Sequence, residues 1–117
     1  MVDLINIQDI QKAYFIGIGG IGMSAIARYF KSRGASVSGY DKTPTFLTDQ
    51  LSAEGIDVHF TDDIALFTQD ADLVVYTPAI PADSAILNWC KSNKISLLKR
   101  SDVLQIISKD TYNICVA

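Results

Sequence analysis

The chain has 117 residues, of which 49% are hydrophobic and 20% are charged. This balance is typical of one folded domain and excludes a disordered chain, which needs fewer apolar residues and a larger net charge. Ten basic against 13 acidic residues give a net charge of −3. No three basic residues are consecutive, so no nucleic-acid partner is predicted. No apolar run approaches the ~20 residues that span a bilayer, so no membrane partner is predicted.

The N-terminus lacks the basic and apolar regions of a secretory signal. The two cysteines, Cys90 and Cys115, form no CxxC pair, and with His59 as the single histidine they offer no zinc set. We therefore expect a cytoplasmic location and no metal site. Cys90 and Cys115 are expected in the core, and His59 is expected at the surface or on a strand edge.

Short apolar runs alternate with helix-length amphipathic stretches along the chain. Strands are predicted at 13–18, 36–41, 57–60, 73–77, 95–99 and 112–117. The first intervening helix carries one apolar face, formed by Met23, Ile26, Ala27 and Phe30.

Polar residues and glycines mark the ends of the helices. Gly34 suits the end of the first helix, and Gly55 suits the end of the second. The predicted N-terminal signals are Thr43-Pro44 for the second helix, Asp62 or Asp63 for a brief helix at 64–67, Asp83 or Ser84 for the next, and Ser101 or Asp102 for the last.

This order predicts an α/β fold: a Rossmann-like, doubly wound and mostly parallel sheet of five to six strands in three layers. We expect residues 1–117 to form a single domain, with residues 1–12 as a lead-in. A strand at the very end of the chain is compatible with a natural terminus or with one domain of a longer protein.

A glycine-rich turn follows the first strand. Gly17, Gly19 and Gly22 match the pattern G-x-G-x-x-G between a buried strand and an amphipathic helix. In this pattern Gly17 permits the sharp turn, Gly19 lets a phosphate approach the backbone, and Gly22 allows close helix–strand packing. Backbone N–H groups at the helix start attract anions, and Ser24 could add a hydroxyl donor. The alternative is a tight turn without a ligand.

Other candidate residues follow neighbouring strands at the same edge of the sheet. Asp41 lies 19 residues after Gly22, where dinucleotide folds place a ribose-binding acid, although it could simply cap a helix. Lys42 beside it leaves NADP possible. The loop at 77–81 could wall the same crevice or form a rigid turn. Arg100 could bind a phosphate or carboxylate, or lie at a solvated strand end.

No catalytic residue is predicted. The sequence contains no G-x-S-x-G, H-E-x-x-H or G-x-x-x-x-G-K-[ST] motif, so the chain is expected to bind a ligand whose chemistry occurs elsewhere. From the residues alone, a nicotinamide (NAD) binding domain of an oxidoreductase and a small nucleotide-sensing or CoA-binding regulatory module both remain open.

Residues 13–117 resemble the Mur ligase family, whose members add amino acids during peptidoglycan synthesis, and four segments carry the resemblance. The run YFIGIGGIGMS at 14–24 is similar to the family's opening, and it favours the alanine-adding members. The runs SGYD at 38–41, VVYTPAI at 74–80 and RSDVL at 100–104 resemble its second strand end, its fourth strand and loop, and its Arg-x-x-x-Leu segment.

The resemblance implies the N-terminal domain of an ATP-dependent ligase, which holds UDP-N-acetylmuramate and is inactive alone. In the family an ATP phosphate loop would follow the last strand, so the resemblance implies a chain that continues beyond Ala117. ATP and Mg²⁺ would activate the sugar-acid carboxylate as an acyl phosphate in domains absent from this chain. L-alanine would bind there too, and its amine would attack the acyl phosphate.

The resemblance also assigns substrate-binding residues. The glycine-rich turn would hold the diphosphate, the end of the second strand would meet the uridine, and the loop after the fourth strand would wall the crevice. Tyr40 stands where the family usually has serine, and Arg100 would reach the ligand or brace the loops. The expected residues are Gly17, Gly19, Gly20, Ile21, Gly22, Met23, Ser24, Tyr40, Asp41, Thr43, Thr77, Pro78, Ala79, Ile80 and Arg100.

Overall fold

The computed structural model describes residues 10–63, 65, 67, 71–77, 80, 83–93, 97–103 and 105. The elements with defined bounds are β1 (Lys12–Ile16), α1 (Ile21–Ser32), β2 (Ser36–Tyr40), α2 (Phe46–Ala53), β3 (Asp57–His59), β4 (Leu73–Tyr76), α3 (Ala85–Ser92) and β5 (Leu97–Lys99). A further helical stretch covers residues 100–103. The predicted strand at 112–117, with Cys115, lies outside the described residues.

All pairings in the described sheet are parallel, and the strand order is β3-β2-β1-β4-β5. The chain runs outward from β1 through β2 to β3, then crosses back to β4 on the other side of β1. Ala13 of β1 accordingly pairs with Val37 of β2 and Leu73 of β4. Ligands of such folds bind beyond the carboxyl ends of the strands, where the order reverses.

Side chains along a strand alternate in direction, so the apolar strands of this sheet present apolar side chains on both faces. Helices cover both faces and bury these side chains. Ala13 and Phe15 belong to one core cluster, which includes residues of α1 and α2. Tyr14 and Ile16 belong to the other cluster, which includes residues of α3. The predicted three-layer, doubly wound α/β fold is confirmed.

The apolar face of α1 and its end are also as predicted. Its buried residues include Met23, Ile26, Ala27 and Phe30. Gly34 and Gly55, which follow α1 and α2, have φ angles of +92° and +93°. Glycine adopts this left-handed conformation without the steric cost that other residues carry.

The predicted start of α2 was wrong. Its N-cap is Thr45, whose side chain accepts the Thr48 N–H, while the Thr48 hydroxyl accepts the Thr45 N–H. This reciprocal capping box satisfies the exposed donors of the first turn. Thr43 instead donates its N–H to the Asp41 carboxylate at 3.1 Å, so it belongs to the turn after β2.

Of the remaining N-terminal signals, one is confirmed and one differs. Ser84, one of two predicted caps, is the N-cap of α3 and accepts the Leu87 N–H. The last helical stretch begins at residue 100, before both predicted positions. The Asp102 carboxylate accepts the Lys99 N–H at 3.3 Å. This bond stabilises the first turn of the helical stretch, because it satisfies a backbone donor just before the helix begins.

Tyr14 places a hydroxyl group in the middle of the sheet. Its side chain is fully buried, and its hydroxyl lies 2.5 Å from His59 Nε2. His59 Nδ1 lies 3.1 Å from the Thr61 carbonyl, which can only accept, so Nδ1 carries the proton and Tyr14 donates to Nε2. Burial raises the pKa of Tyr14 above its ordinary value. His59 thus has a structural role on edge strand β3.

Two residues of α3 contribute to packing, and Cys90 lies in the core as expected. Cys90 is fully buried, and burial raises the pKa of its thiol from 9.0 to about 11. Trp89 packs edge-on against Phe67, with ring centroids 5.3 Å apart. None of the described helices is long and apolar enough to cross a membrane.

We expect the free energy of unfolding to fall as the pH rises above about 9. In the unfolded chain the Cys90 thiol loses its proton near its ordinary pKa of 9.0, whereas the folded chain keeps that proton until about pH 11. Between these values the unfolded state binds fewer protons, so rising pH favours it. Urea unfolding from about pH 8 to pH 10 measures this slope.

The Cys90→Ala variant is the control, because it removes the titrating thiol. Truncation lowers its stability at every pH, but its slope between about pH 9 and pH 10 should be flatter than that of the parent chain. Equal slopes in the two proteins would contradict the prediction.

Candidate functional site

A cleft of about 440 Å³ lies at the carboxyl edge of the sheet, where the strand order reverses. One wall is the glycine-rich turn with the start of α1, and the other is the start of α3. The residues that line the cleft are Gly17, Gly20, Ile21, Gly22, Met23, Tyr40, Asp41, Lys42, Asp62, Thr77, Ile80, Asp83, Ser84 and Arg100.

The glycine-rich turn is fastened to the end of β2. The N–H groups of Gly17 and Ile18 both donate to the Tyr40 carbonyl, at 2.7 and 3.0 Å. Gly17 has a φ of +93°, and a β-carbon on it would lie 2.7 Å from Thr77 Cγ2. Both the backbone conformation and the close approach of Thr77 therefore require glycine here.

The start of α1 is open to the cleft. Its N-cap is Gly20, no described side chain caps it, and its first turn contains no acidic residue. The first three N–H groups of the helix, at 21–23, have no acceptor within the helix, because Ser24 is the first residue to donate to Gly20. Together with the helix dipole, these N–H groups favour an anion.

Arg100 adds a positive charge at the same place. A β-carbon built on Gly22 would lie 2.6 Å from Arg100 Nη1, so the guanidinium rests against the first turn of α1. The atoms nearest to a β-carbon here belong to Arg100 and not to a strand residue, which differs from the predicted role of Gly22 in helix–strand packing. An arginine in this position can bind a phosphate through two parallel hydrogen bonds.

Asp41 braces the glycine-rich turn. Its Oδ2 accepts the Gly19 N–H at 2.7 Å, and its Oδ1 accepts the Thr43 N–H at 3.1 Å. A β-carbon on Gly19 would lie 2.7 Å from Asp41 Oδ2 and 2.9 Å from Thr48 Cγ2. Gly19 therefore makes room for these side chains, which differs from its predicted role. Each carboxylate oxygen of Asp41 keeps a lone pair for a ligand.

Ser24 is placed differently from its prediction. It is 2% exposed, it is not among the lining residues, and its hydroxyl donates to the Ile21 carbonyl at 2.9 Å. A serine in the first turn of a helix often bonds to a nearby carbonyl in this way. The hydroxyl is thus not the ligand donor that the sequence suggested.

The structure brings most of the predicted residues together at the cleft. The predicted residues that line it are Gly17, Gly20, Ile21, Gly22, Met23, Tyr40, Asp41, Thr77, Ile80 and Arg100. The predicted residues Gly19, Ser24 and Thr43 do not line it. Pro78 and Ala79 lie outside the described residues.

The opposite wall was missed by the sequence analysis. Asp62 accepts the N–H groups of Ala85 and Ile86 at the start of α3, at 3.1 and 3.0 Å. Of the two residues predicted to cap the segment after β3, Asp63 accepts a local N–H, that of Ala65. The Asp62 bonds join residues 23 and 24 positions apart, so local sequence patterns carry no signal for them.

The fold and the cleft at its switch point define a Rossmann-like α/β domain with a helix start suited to an anion. The family model described as "Mur ligase family, catalytic domain" matches residues 12–112. The chain therefore belongs to the Mur ligase family.

Individual relatives show which members of that family this chain is similar to. The UDP-N-acetylmuramate–L-alanine ligase of Porphyromonas gingivalis is 52% identical over 112 residues, which are 92% of this chain and 25% of that protein. The crystal structure of the UDP-N-acetylmuramate–alanine ligase of Thermotoga maritima matches with a TM-score of 0.80 and 31% identity, over 85% of this chain and 23% of that one.

A third match is the UDP-N-acetylmuramate:L-alanyl-gamma-D-glutamyl-meso-diaminopimelate ligase of Neisseria meningitides. Its TM-score is 0.70 at 27% identity, over 78% of this chain and 29% of that one. The chain spans about a quarter of the length of the curated relatives that it matches.

Gly17→Ala should destabilise the protein more than Gly34→Ala. Both glycines have φ near +92°, so each alanine costs roughly 1–2 kcal/mol in backbone strain. A β-carbon on Gly34 meets nothing within 4 Å, whereas one on Gly17 meets the stiff, β-branched Thr77. Overpacking should add about 1–3 kcal/mol at Gly17. Urea unfolding measures both, and equal losses would contradict the close packing of the turn against Thr77.

Proposed function

We propose that this chain is the part of a UDP-N-acetylmuramate–L-alanine ligase that holds UDP-N-acetylmuramate, with the diphosphate at the start of α1. The observation that carries the proposal is the uncapped start of α1, which faces the cleft beside Arg100. Relatives that are 52% and 49% identical to this chain bear the name of that ligase.

The cleft suits a nucleoside diphosphate in size and charge. Its volume of about 440 Å³ falls within the roughly 300–1,000 Å³ of typical ligand pockets. The diphosphate oxygens would accept from the N–H groups at 21–23 and from Arg100. The uridine would extend toward Tyr40, Asp41 and Thr43, where Asp41 has acceptor capacity left.

The predicted loop after β4 would close one side of the ligand. Thr77 and Ile80 line the cleft, and Pro78 and Ala79 are proposed to continue the same wall. Lys42, which is exposed and also lines the cleft, would add attraction for the diphosphate at longer range.

The proposal assigns no catalytic residue to this chain. Among the described residues, no three His, Cys, Asp or Glu side chains are grouped so that they could hold a metal ion. Because the chain spans about a quarter of the length of its curated relatives, we propose that ATP, Mg²⁺ and L-alanine bind to other domains of a longer, cytoplasmic protein, and that residues 1–117 form its single N-terminal substrate-binding domain.

Calorimetric titration of the 117-residue chain tests this proposal. UDP-N-acetylmuramate and UDP should both bind, and uridine should bind at least about tenfold more weakly, because hydrogen bonds to charged groups contribute roughly 1.5–3 kcal/mol. NADH should not bind in the same range. Binding of NADH alone would favour the oxidoreductase alternative, and failure of both UDP ligands to bind would contradict the proposal.

Arg100→Gln should lower the affinity for UDP by about tenfold or more, because it removes a charged donor from the diphosphate. Arg33→Gln is the matched control, since it makes the same change in net charge at the opposite end of α1. Arg33 lies with its guanidinium carbon 5.6 Å from the Tyr29 ring centroid and does not line the cleft. An equal loss in the two variants would point to general charge attraction instead of a contact with Arg100.

A further inference from the structure

Two helices begin at the cleft, and they differ in whether side chains accept hydrogen bonds from their first N–H groups. At α1 the described residues supply no side-chain cap. At α3 the chain itself supplies an acceptor for each of three successive donors. Ala85 donates to Asp62 Oδ2 at 3.1 Å, Ile86 donates to Asp62 Oδ1 at 3.0 Å, and Leu87 donates to Ser84 Oγ at 3.4 Å.

The carboxylate of Asp62 adds a negative charge to the start of α3, besides accepting its N–H groups. Thr45 and Thr48 cap α2 with uncharged side chains, and Ser84 already provides an uncharged cap for α3. Asp62 adds a full negative charge at the positive end of α3, where an anionic ligand would otherwise be attracted. It reaches that position from the segment after edge strand β3, and it lines the cleft.

The cleft consequently has two electrically different ends. The start of α1 carries N–H groups that no side chain of the described residues caps, together with the guanidinium of Arg100. The start of α3 carries the carboxylates of Asp62 and Asp83, both of which line the cleft. A ligand with one diphosphate can lie favourably in one direction only, because the second helix start already holds a carboxylate.

We propose that Asp62 is a specificity-determining residue: it occupies the N-terminus of α3 and so directs ligand phosphates to α1. This inference rests on the proposed function for the identity of the ligand. The exclusion of phosphate from the start of α3 does not depend on that identity, because it applies to any phosphate that enters the cleft.

Asp62→Asn keeps the size of the side chain but removes the charge and one acceptor oxygen. The start of α3 should then become available to a second anion. Inorganic pyrophosphate is the probe, and amide NMR spectra of the 117-residue chain locate where it binds. In the parent chain we expect shifts at residues 20–24, and in Asp62→Asn we expect additional shifts at residues 85–87.

Asp63→Asn is the matched control. It makes the same change in net charge one position away, but Asp63 bonds to the Ala65 N–H and does not line the cleft. Its pyrophosphate shifts should match those of the parent chain. Asp62→Glu, which restores the charge, should also remove the extra shifts at 85–87. A purely structural cap would change stability without creating this new binding position.

A second titration connects the result to the proposed ligand. In the parent chain UDP-N-acetylmuramate should shift residues 20–24 and leave 85–87 unchanged, whereas in Asp62→Asn it should also shift residues 85–87, because its diphosphate can then lie at either helix start. If Asp62→Asn does not fold, Asp62→Ser replaces it, since serine also removes the charge and keeps a hydroxyl oxygen that can accept.

The inference is overturned if the Asp62→Asn spectra show the parent pattern, or if pyrophosphate already shifts residues 85–87 in the parent chain. These outcomes are separate from failure of the proposed function. If the parent chain bound no UDP-N-acetylmuramate, the proposed identity of the ligand would be wrong. The pyrophosphate spectra of Asp62→Asn would still decide the role of Asp62.

Discussion

Every helix in this fold has to find acceptors for its first backbone N–H groups, and α1, α2 and α3 all begin at the carboxyl edge of the sheet. Thr45 and Thr48 meet this requirement for α2, while Ser84 and Asp62 meet it for α3. In the part of the chain that the structure describes, no side chain meets it for α1, and water or a ligand can then supply the acceptors. The start of α1 therefore differs from the other two in leaving donors that suit an anion.

The open helix start depends on a rigid support. The turn at Gly17 is bonded to the Tyr40 carbonyl, and Asp41 holds the Gly19 N–H. Both supports come from the end of β2, which is itself paired in register with β1. A site held in this way needs little reorganisation when a ligand binds, and less of the binding free energy is lost to ordering the loop.

The sequence predicts the fold well because the signals for it are local. Continuous apolar runs identify the central strands, a helical apolar face identifies α1, and Gly34 identifies its end. Asp62 could not be predicted, because its partners lie more than 20 residues away and depend on how two crossovers meet. The role of Gly19 differed from its prediction for a similar reason, because the side chain that contacts it, Asp41, follows another strand.

Trp89 is the single tryptophan of the sequence, and it packs on Phe67 over the face of the sheet covered by α3. Its fluorescence therefore senses the contact between α3 and the crossover from β3 to β4, while α1 and α2 lie on the far side of the sheet. Asp62 belongs to the same crossover and holds the first turn of the same helix. The protein thus carries an intrinsic optical probe on α3, the helix whose start forms one wall of the cleft, so no extrinsic dye is needed to follow that helix during unfolding or ligand binding.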